Sequence, residues 1–437
     1  MRTRRARIGG RLVVAGIAAA VVAVLVATEA SAAVRTEEIS VNALRAEGNA
    51  SSDNTTVSAD GRFVAFRSSA TNLVSGDTNA ANDVFLRDRL SGRIERISVN
   101  SSGQQGNGYS GVGPSAITPD GRFVAFDSAA GNLVSGDTNG QPDIFRRDRN
   151  ARRTQRVSVG LHGAQPNGSS RARSISADGR YVGFDSTASN LVDGDTNQIT
   201  DAFVRDIQAG TTILVSTGLG GVPANNISNG PVLSADGRYA AFESLASNLV
   251  ADDPNRGSDV FVRDLRSGTT ELVSVGQTVG SSPRFNSVPS ISADGRYVVF
   301  SSSPFLTPVG PTDVQVWVRD RMLQTTTLVS VGVGGTPGDG ASQFGVISPS
   351  GRYVAFVSGA HNLVANEPSR PQSGVFVRDL ATRRTTRASV TPAGLPAWGR
   401  YLSPAASDTG VGFGSTSADL VSGAGGGNVF QIYFRPY

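Results

Sequence analysis

The side chains best suited to chemistry in this sequence are aspartates and asparagines that recur in one loop motif. The motif reads Asp-x-Asn-x-x-x-Asp and first occurs at Asp77, Asn79 and Asp83. Closely spaced carboxylate and amide oxygens suit a hard cation such as Ca²⁺, which needs about six to eight oxygen ligands. An Asx-turn, in which these side chains bond their own backbone, is the alternative interpretation. The candidate calcium ligands in the four copies are Asp77, Asn79, Asp83, Asp137, Asn139, Asp143, Asp195, Asn197, Asp201, Asp253, Asn255 and Asp259.

A second recurring combination is an arginine followed, 24 to 27 positions later, by an aspartate. The arginine opens one predicted strand and the aspartate closes the neighbouring one, so we expect the two to pair. In the last repeat both partners are replaced together, by Thr409 and Pro436. This joint loss favours a structural ion pair over independent ligand-binding residues. The predicted pairs are Arg62/Asp88, Arg122/Asp148, Arg180/Asp206, Arg238/Asp264, Arg296/Asp320 and Arg352/Asp379.

Aromatic residues interrupt the repeat pattern near the end of the chain. They are Phe305, Phe344 and the group Trp398, Arg400 and Tyr401. Aromatics with an arginine are typical of a binding hot spot. Packing at the joint between the two chain ends is the alternative, since a buried Trp serves either use. We name these five as candidate binding residues.

Residues typical of an enzyme are few. The two histidines, His162 and His361, fall in different repeats, and a lone histidine without a placed partner rarely acts in acid–base catalysis. There is no Gly-x-Ser-x-Gly nucleophile motif and no cysteine. We therefore expect no catalytic residues and no cofactor other than calcium.

An internal repeat determines the predicted fold. The run Ser-Ala-Asp-Gly-Arg-Phe-Val-Ala-Phe ending at Phe66 returns in seven copies spaced 56 to 60 residues apart. Each unit reads as four short strands, the first of them brief, with Asp-Gly between the first two and Ser-Gly or Ala-Gly between the last two. Four-stranded units at such a period are propeller blades. The sequence predicts an all-β, seven-bladed β-propeller.

The fourth strands indicate how the ring closes. The last unit ends after its third strand, whereas a spare fourth-strand sequence stands at Thr36 to Val41. We predict that an N-terminal strand at 34–42 completes the last blade, leaving no open sheet edge. The short turns would then share one face, the short-turn face. The second-to-third loops and the loops between units would share the other, the long-loop face, where binding is expected.

The repeated motif resembles a known family. Ser-Ala-Asp-Gly-Arg-Tyr-Val-x-Phe followed by Asp-Val-Phe-Val-Arg-Asp is similar to the WD-like propeller repeat of the TolB family. The resemblance covers every unit and implies the propeller fold. It implies little about function, because such propellers serve as binding platforms, as gating domains and occasionally as enzymes. The N-terminal α/β domain of TolB is missing and seven units replace six, so the role of TolB does not carry over.

The first residues have the features of an export signal. Five arginines precede an apolar run from Leu12 to Ala27, and Ala30-Ser31-Ala32 fits a signal-peptidase site. We predict a signal peptide at 1–32, with an uncleaved anchor as the alternative, and a propeller at 33–437. Without the leader the formal charge of +4 falls to about zero, which argues against nucleic-acid or lipid binding.

These observations predict an exported protein, secreted or in the cell envelope, that spans no membrane after cleavage. We expect a monomeric, non-catalytic binding or scaffold module for a protein, peptide or glycan on the long-loop face. The alternatives are a propeller lyase or hydrolase acting on an extracellular glycan or small molecule, and a calcium-stiffened structural protein of the envelope.

Overall fold

In the computed structural model of the protein, the structure describes residues 34–253, 257–275, 289–302, 313–365, 367, 373–422 and 429–437. The regular secondary structure of these residues is almost entirely β-strand, and their helices are single 3₁₀ turns at Leu161–Gly163, Leu219–Gly221 and Ala418–Leu420. Within them, no helix is long and apolar enough to cross a membrane. The predicted signal peptide, Asn255 and Phe305 lie outside the described residues. The prediction of an all-β fold is confirmed.

The described strands pair in antiparallel groups of four, and one parallel bridge between Ser115 and Ser174 also joins the first strands of the second and third groups. The first N-terminal strand, β1 (Glu37–Glu38), belongs to the last group. The first group is β2 (Ser52–Val57), β3 (Phe63–Ser68), β4 (Asp83–Asp88) and β5 (Arg93–Arg96). The second is β6 (Ser110–Ile117), β7 (Phe123–Ser128), β8 (Asp143–Asp148) and β9 (Arg153–Arg156). The third is β10 (Ser170–Ile175), β11 (Tyr181–Ser186), β12 (Asp201–Asp206) and β13 (Thr211–Leu214).

The later groups follow the same order. The fourth is β14 (Ser228–Leu233), β15 (Tyr239–Ser244), β16 (Asp259–Asp264) and β17 (Thr269–Leu272). The fifth is β18 (Ser290–Ile291), β19 (Tyr297–Ser302), β20 (Gln315–Asp320) and β21 (Thr325–Leu328). The sixth is β22 (Ser342–Ile347), β23 (Tyr353–Ser358), β24 (Gly374–Asp379) and β25 (Arg384–Arg387). The seventh is β26 (Tyr401–Ala406), β27 (Gly410–Ser415), β28 (Gln431–Pro436) and β1.

The second and third strands of each group form its core. Their runs of consecutive apolar residues are buried on both faces of the sheet, as in β3, where Phe63 to Phe66 are all buried. Cross-strand aromatic partners stack there, with ring centroids 6.0 Å apart for Phe66 and Phe85. Burying such a side chain fully contributes about 1.5–3 kcal/mol relative to leaving it exposed. The same aromatic pair recurs in most groups, so each group is stabilised in the same way.

The repeated turn between the first two strands depends on its aspartate and glycine. Gly61 adopts φ +74°, a region that glycine enters without steric cost. Asp60 Oδ1 accepts hydrogen bonds from the Ser58 hydroxyl (2.6 Å) and the Arg62 backbone N–H (3.0 Å). This turn sets the register of the hairpin, as the sequence predicted.

The first and fourth strands differ from the expected lengths. The first strands were expected to be brief, but β2 has six residues and β6 has eight. Their pairing with the second strands shifts register, for example between Asp53 and Thr56. Such a bulge interrupts the regular alternation by which a strand is recognised in a sequence. The fourth strands are short, four residues in β17 (Thr269–Leu272), although the strand-like sequence of this unit continues to Val275.

The N-terminal segment pairs with the C-terminal strand. Glu37 lies opposite Phe434 and Glu38 opposite Tyr433. The pairing continues as the Ile39 N–H donates to the Ile432 carbonyl over 2.7 Å. The strand proper is two residues long rather than spanning 34–42, but it occupies the predicted place as fourth strand of the last group.

Candidate functional site

The first strands of all seven groups converge on one cavity of about 410 Å³, which we call the axial cavity. A second cavity of about 510 Å³ shares part of its lining and reaches the ends of the second strands. These strand ends lead into the second-to-third loops, so the opening lies on the long-loop face. The polar, charged and aromatic residues that line one or both cavities include Asn54, Arg67, Asp127, Arg171, Arg173, Asp185, Glu243 and Phe344.

One side of the opening, the charged arc, carries ionisable side chains from the first four groups. Arg67 pairs with Asp53 through two hydrogen bonds of 2.6 Å. Arg173 pairs with Asp185, and both are nine-tenths buried or more. Asp185 also accepts a hydrogen bond from the Gly230 backbone N–H, which joins the third and fourth groups. The arc is therefore a fixed polar surface.

Burial shifts the acidity of two carboxyl groups in this region. Desolvation raises the pKa of Asp127, although the Ala172 N–H donates to it and Arg171 lies nearby. Desolvation likewise raises the pKa of Glu243, whose carboxylate accepts a hydrogen bond from the Ser258 hydroxyl over 2.6 Å. Arg171 is exposed beside these groups and lines both cavities. Hydrogen-bond donors and acceptors thus line the same opening.

The other side of the opening is apolar and centres on Phe344. This side chain is 43% exposed and its backbone adopts φ +57°. The same position of the first strand holds Asn54 (φ +49°) and Gly230 (φ +66°) in other groups, residues that tolerate this conformation. A bulky residue there costs about 1–3 kcal/mol, and such strain clusters at functional sites. Core packing does not explain Phe344, so it is a candidate contact residue.

The remaining predicted aromatic residues separate in the structure. Phe344, Arg400 and Tyr401 border one groove beside the axial cavity. Arg400 is exposed, with its guanidinium 5.6 Å from the Phe430 ring centroid. Tyr401 was wrongly assigned to the binding surface: it is 4% exposed and its hydroxyl donates to the Ala397 carbonyl over 2.7 Å.

Tyr401 is a core residue because it opens β26 and packs against Phe413, at a centroid distance of 6.1 Å. Trp398 is 36% exposed and lines neither the axial cavity nor the groove. The structure therefore places Phe344 at the opening and Arg400 at the groove beside it, and leaves Trp398 apart from both.

Sequence reasoning missed the charged arc, although a signal was present. The residue before the last of each second strand is Arg67, Asp127, Asp185, Glu243, Ser301, Val357 and Gly414 in turn. The position is charged in four units and uncharged in three. A repeat-by-repeat comparison at this position would have indicated a two-sided surface.

Each of the six predicted arginine–aspartate pairs is formed on the short-turn face, at N–O distances of 2.6 to 2.8 Å. The aspartates are largely buried and the arginines part-exposed. Hydrogen bonding from Arg62 holds the pKa of Asp88 well below its usual range. Asp88 also accepts the Leu90 backbone N–H over 3.0 Å, which orders the turn between β4 and β5. The missing pair at Thr409 is replaced by a hydrogen bond from its hydroxyl to the Asp60 carbonyl.

The first acidic loop has a counter-charge that the calcium prediction did not include. Arg96 of β5 lies 3.4 Å from Asp77 and 3.5 Å from Asp83. The Gln105 amide donates to both carboxylates over 2.9 and 2.8 Å. Within the described residues, no cluster of three or more His, Cys, Asp or Glu side chains could hold a metal ion. In this loop a guanidinium occupies the place expected for Ca²⁺.

The second loop is neutralised in the same manner, with Arg156 lying 3.5 Å from Asp137 and 3.0 Å from Asp143. The Asx-turn alternative holds for the asparagines, since Asn79 Oδ1 accepts the Ala81 N–H and Asn139 Oδ1 accepts the Gln141 N–H. In the part of the chain that the structure describes, no arginine forms an ion pair with Asp195 or Asp201 of the third loop, which also contains Asn197. Asp253 and Asp259 are the described candidates of the fourth loop.

The histidines remain apart from the opening. His162 is exposed in a 3₁₀ turn at φ +58°. His361 is 38% exposed, with Nδ1 4.0 Å from Asp339 Oδ1. Neither lines the axial cavity.

The sequence matches no protein-family model and no curated protein. Solved structures of similar fold include the β-propeller domain of the trilobed protease from Pyrococcus furiosus, 10% identical with a TM-score of 0.53. That alignment covers 89% of this chain and 94% of that domain. Oligogalacturonate lyase from Vibrio parahaemolyticus is 11% identical with a TM-score of 0.51. That alignment covers 92% of this chain and 96% of the lyase.

TolB from Acinetobacter baumannii also matches, at 18% identity and a TM-score of 0.38. The alignment covers 63% of this chain and 53% of TolB, so this chain spans about half the length of that protein. At these identities the similarities concern the fold alone. The chain folds as a β-propeller, which is the fold that its TolB-like repeat motif predicted.

Proposed function

We propose that this chain is an exported, non-catalytic binding module whose axial cavity receives a protein, peptide or glycan partner. In this proposal residues 1–32 direct export, and residues 33–437 form a single seven-bladed, monomeric propeller. The observation that carries the proposal is the two-sided opening, with the charged arc facing the exposed, strained Phe344. A partner offering both polar groups and an apolar or aromatic group matches this surface.

Contacts between the first and last groups support a closed ring. The Asp408 N–H donates to the Ala59 carbonyl over 2.9 Å, and Thr409 bonds Asp60 over 2.8 Å. Phe434 of the last group belongs to the same buried cluster as Phe66 of the first. A closed ring would hold the opening rigid, which lowers the ordering cost of binding.

The test is a binding screen of the purified protein against a peptide display library and a glycan array. Hits are remeasured with Phe344→Ala and Arg171→Ala. The matched control is Leu90→Ala, because Leu90 is 79% exposed on the short-turn face. We expect at least about tenfold weaker binding for the first two variants, the loss of about 1.4 kcal/mol. Binding that all three variants retain would contradict the proposal.

A propeller enzyme acting on an extracellular glycan is the second candidate. The raised pKa of Glu243 at the axial cavity favours it, since a protonated carboxyl can serve as general acid. Glycoside hydrolysis needs a second carboxyl group opposite the first, for which Asp127 and Asp185 are nearby candidates. Turnover of an array glycan that Glu243→Gln abolishes, with binding retained, would replace the binding proposal with this one.

A further inference from the structure

The third acidic loop differs from the first two at the two positions that neutralise its carboxylates. On the fourth strand of the first two groups, the residue opposite the third-strand phenylalanine is an arginine, Arg96 or Arg156. In the third group the residue opposite this phenylalanine is Leu214. Gln105 forms an isolated β-bridge with Val99 after the first group. In the equivalent β-bridge after the third group, Pro223 stands in the place of Gln105. Both polar partners are therefore replaced by apolar residues, while both aspartates are kept.

The two aspartates are left buried beside each other. Asp195 is 9% exposed, and its Oδ1 is inaccessible to solvent without a hydrogen-bond partner. Asp201 is fully buried and accepts hydrogen bonds from Ser216 Oγ (2.6 Å) and Asn197 Nδ2 (2.7 Å). Burial raises the pKa of Asp201 to about 6, and the charge of nearby Asp195 adds to this effect. Buried carboxylates without a counter-charge are costly.

We propose that the third loop binds a hard divalent cation between Asp195 and Asp201, in the place that arginine guanidinium groups occupy in the first two loops. Hard divalent cations take carboxylate oxygens, and Mg²⁺ in particular is held by one or two carboxylates and several waters. The exposed neighbours Asp193, Gly194 and Thr196 leave the rim of the loop open to water. This inference does not depend on the proposed function, because the axial cavity is a separate site.

The first two loops suggest a substitution that would replace the cation with an arginine side chain. Leu214→Arg gives the third loop the residue that the first two loops already have at this position. We expect this variant to fold, and its guanidinium to exclude a metal ion as Arg96 does. Asp195→Asn removes one ligand at nearly constant volume and serves as the second variant.

The experiment measures thermal unfolding and calorimetric binding of the purified protein at pH 7.5, first with chelator and then with CaCl₂ or MgCl₂. We expect at least one of the two salts to raise the unfolding midpoint by at least about 2 °C in the wild type. The rise should shrink in Asp195→Asn and Leu214→Arg. The third loop should contribute one bound ion to the wild-type stoichiometry, and each variant should lose that ion.

Asp137→Asn is the matched control, because Arg156 already neutralises that loop. It should leave the metal-dependent shift unchanged. No shift with either cation would overturn the proposal, as would an equal shift and stoichiometry in the wild type and Leu214→Arg. A stability that responds to pH between about 4 and 6 but to neither cation would show that a proton, not a metal, neutralises the pair.

Discussion

The two faces of the propeller use their polar residues differently. On the short-turn face the arginine–aspartate pair recurs in six of the seven described groups with nearly the same distances, and the aspartate turn recurs in five of them. On the long-loop face the residues at equivalent positions change from group to group. Residues that repeat stabilise every group in the same way, whereas a single partner would contact only some of the groups. The comparison therefore assigns the short-turn face to the scaffold and supports the proposal that the long-loop face binds the partner.

The largest expected effect comes from the strand that joins the two ends of the chain. Removing residues 33–42 deletes β1 and the fully buried Ile39, and it exposes the edge of β28. Loss of a buried isoleucine alone costs about 2–5 kcal/mol. We expect the truncation to exceed that cost, measured by urea unfolding. Ile39→Ala should reproduce part of the loss, whereas Leu44→Ala, at a site 90% exposed, should be neutral.

A substitution in the third acidic loop, Asp201→Asn, is expected to increase the free energy of unfolding by a smaller amount. The folded-state pKa of Asp201, about 6, lies above its unfolded value, so stability falls as pH rises from about 4 to 6. In chelator at pH 7.5, Asp201→Asn should be more stable than wild type by about 1–2 kcal/mol, below the roughly 3 kcal/mol limit that the shift implies. At pH 4 or below the advantage should vanish. A variant less stable than wild type at pH 7.5 would contradict this account.

The pairs of the short-turn face should respond to pH in the other direction. Hydrogen bonding from Arg180 lowers the pKa of Asp206, so this stabilisation exists above the unfolded pKa of about 4 and is lost as pH falls further. Asp206→Asn should lower the unfolding midpoint at pH 7 by roughly 2 °C, and the difference from wild type should shrink as pH falls below about 4. Exposed Asp193→Asn is the control and should change neither value.

Substitution of Phe344 is expected to change stability least and binding most. Phe344→Gly introduces the residue that Gly230 supplies at the equivalent bulge. Relief of the left-handed conformation should offset the loss of a half-exposed ring, leaving stability unchanged or higher by up to about 1 kcal/mol. Binding of a library hit should fall at least about tenfold. A marked loss of stability would make Phe344 a packing residue instead.

The scaffold was predictable because its determinants are local. The Asp-Gly turn, the strand from Phe63 to Phe66 and the arginine–aspartate spacing each recur at one period, so every copy reinforced the same interpretation. The strand from the N-terminus was predictable by counting, since one fourth strand was missing at one end and spare at the other. A propeller domain of similar fold has an open velcro topology, whereas here β1 pairs with β28.

The candidate site was less predictable because it depends on contacts between neighbouring strands and between groups. Arg96 neutralises Asp77 from a neighbouring strand, so the motif within the loop could not reveal the pair. Arg173 and Asp185 meet Gly230 of the next group only when the strands converge on the cavity. Tyr401 follows Trp398 and Arg400 in sequence but turns into the core.

The sequence by itself determined the blades of this protein, because turns, strand periodicity and in-register pairs act over about 60 residues and repeat. Only the tertiary structure decided which residues surround the axial cavity and which carboxylates lack a counter-charge. Those outcomes depend on side chains from different strands, in part from different groups, that folding brings within a few ångströms of each other. Their burial and charge neutralisation are properties of the folded chain and not of the loop motif alone.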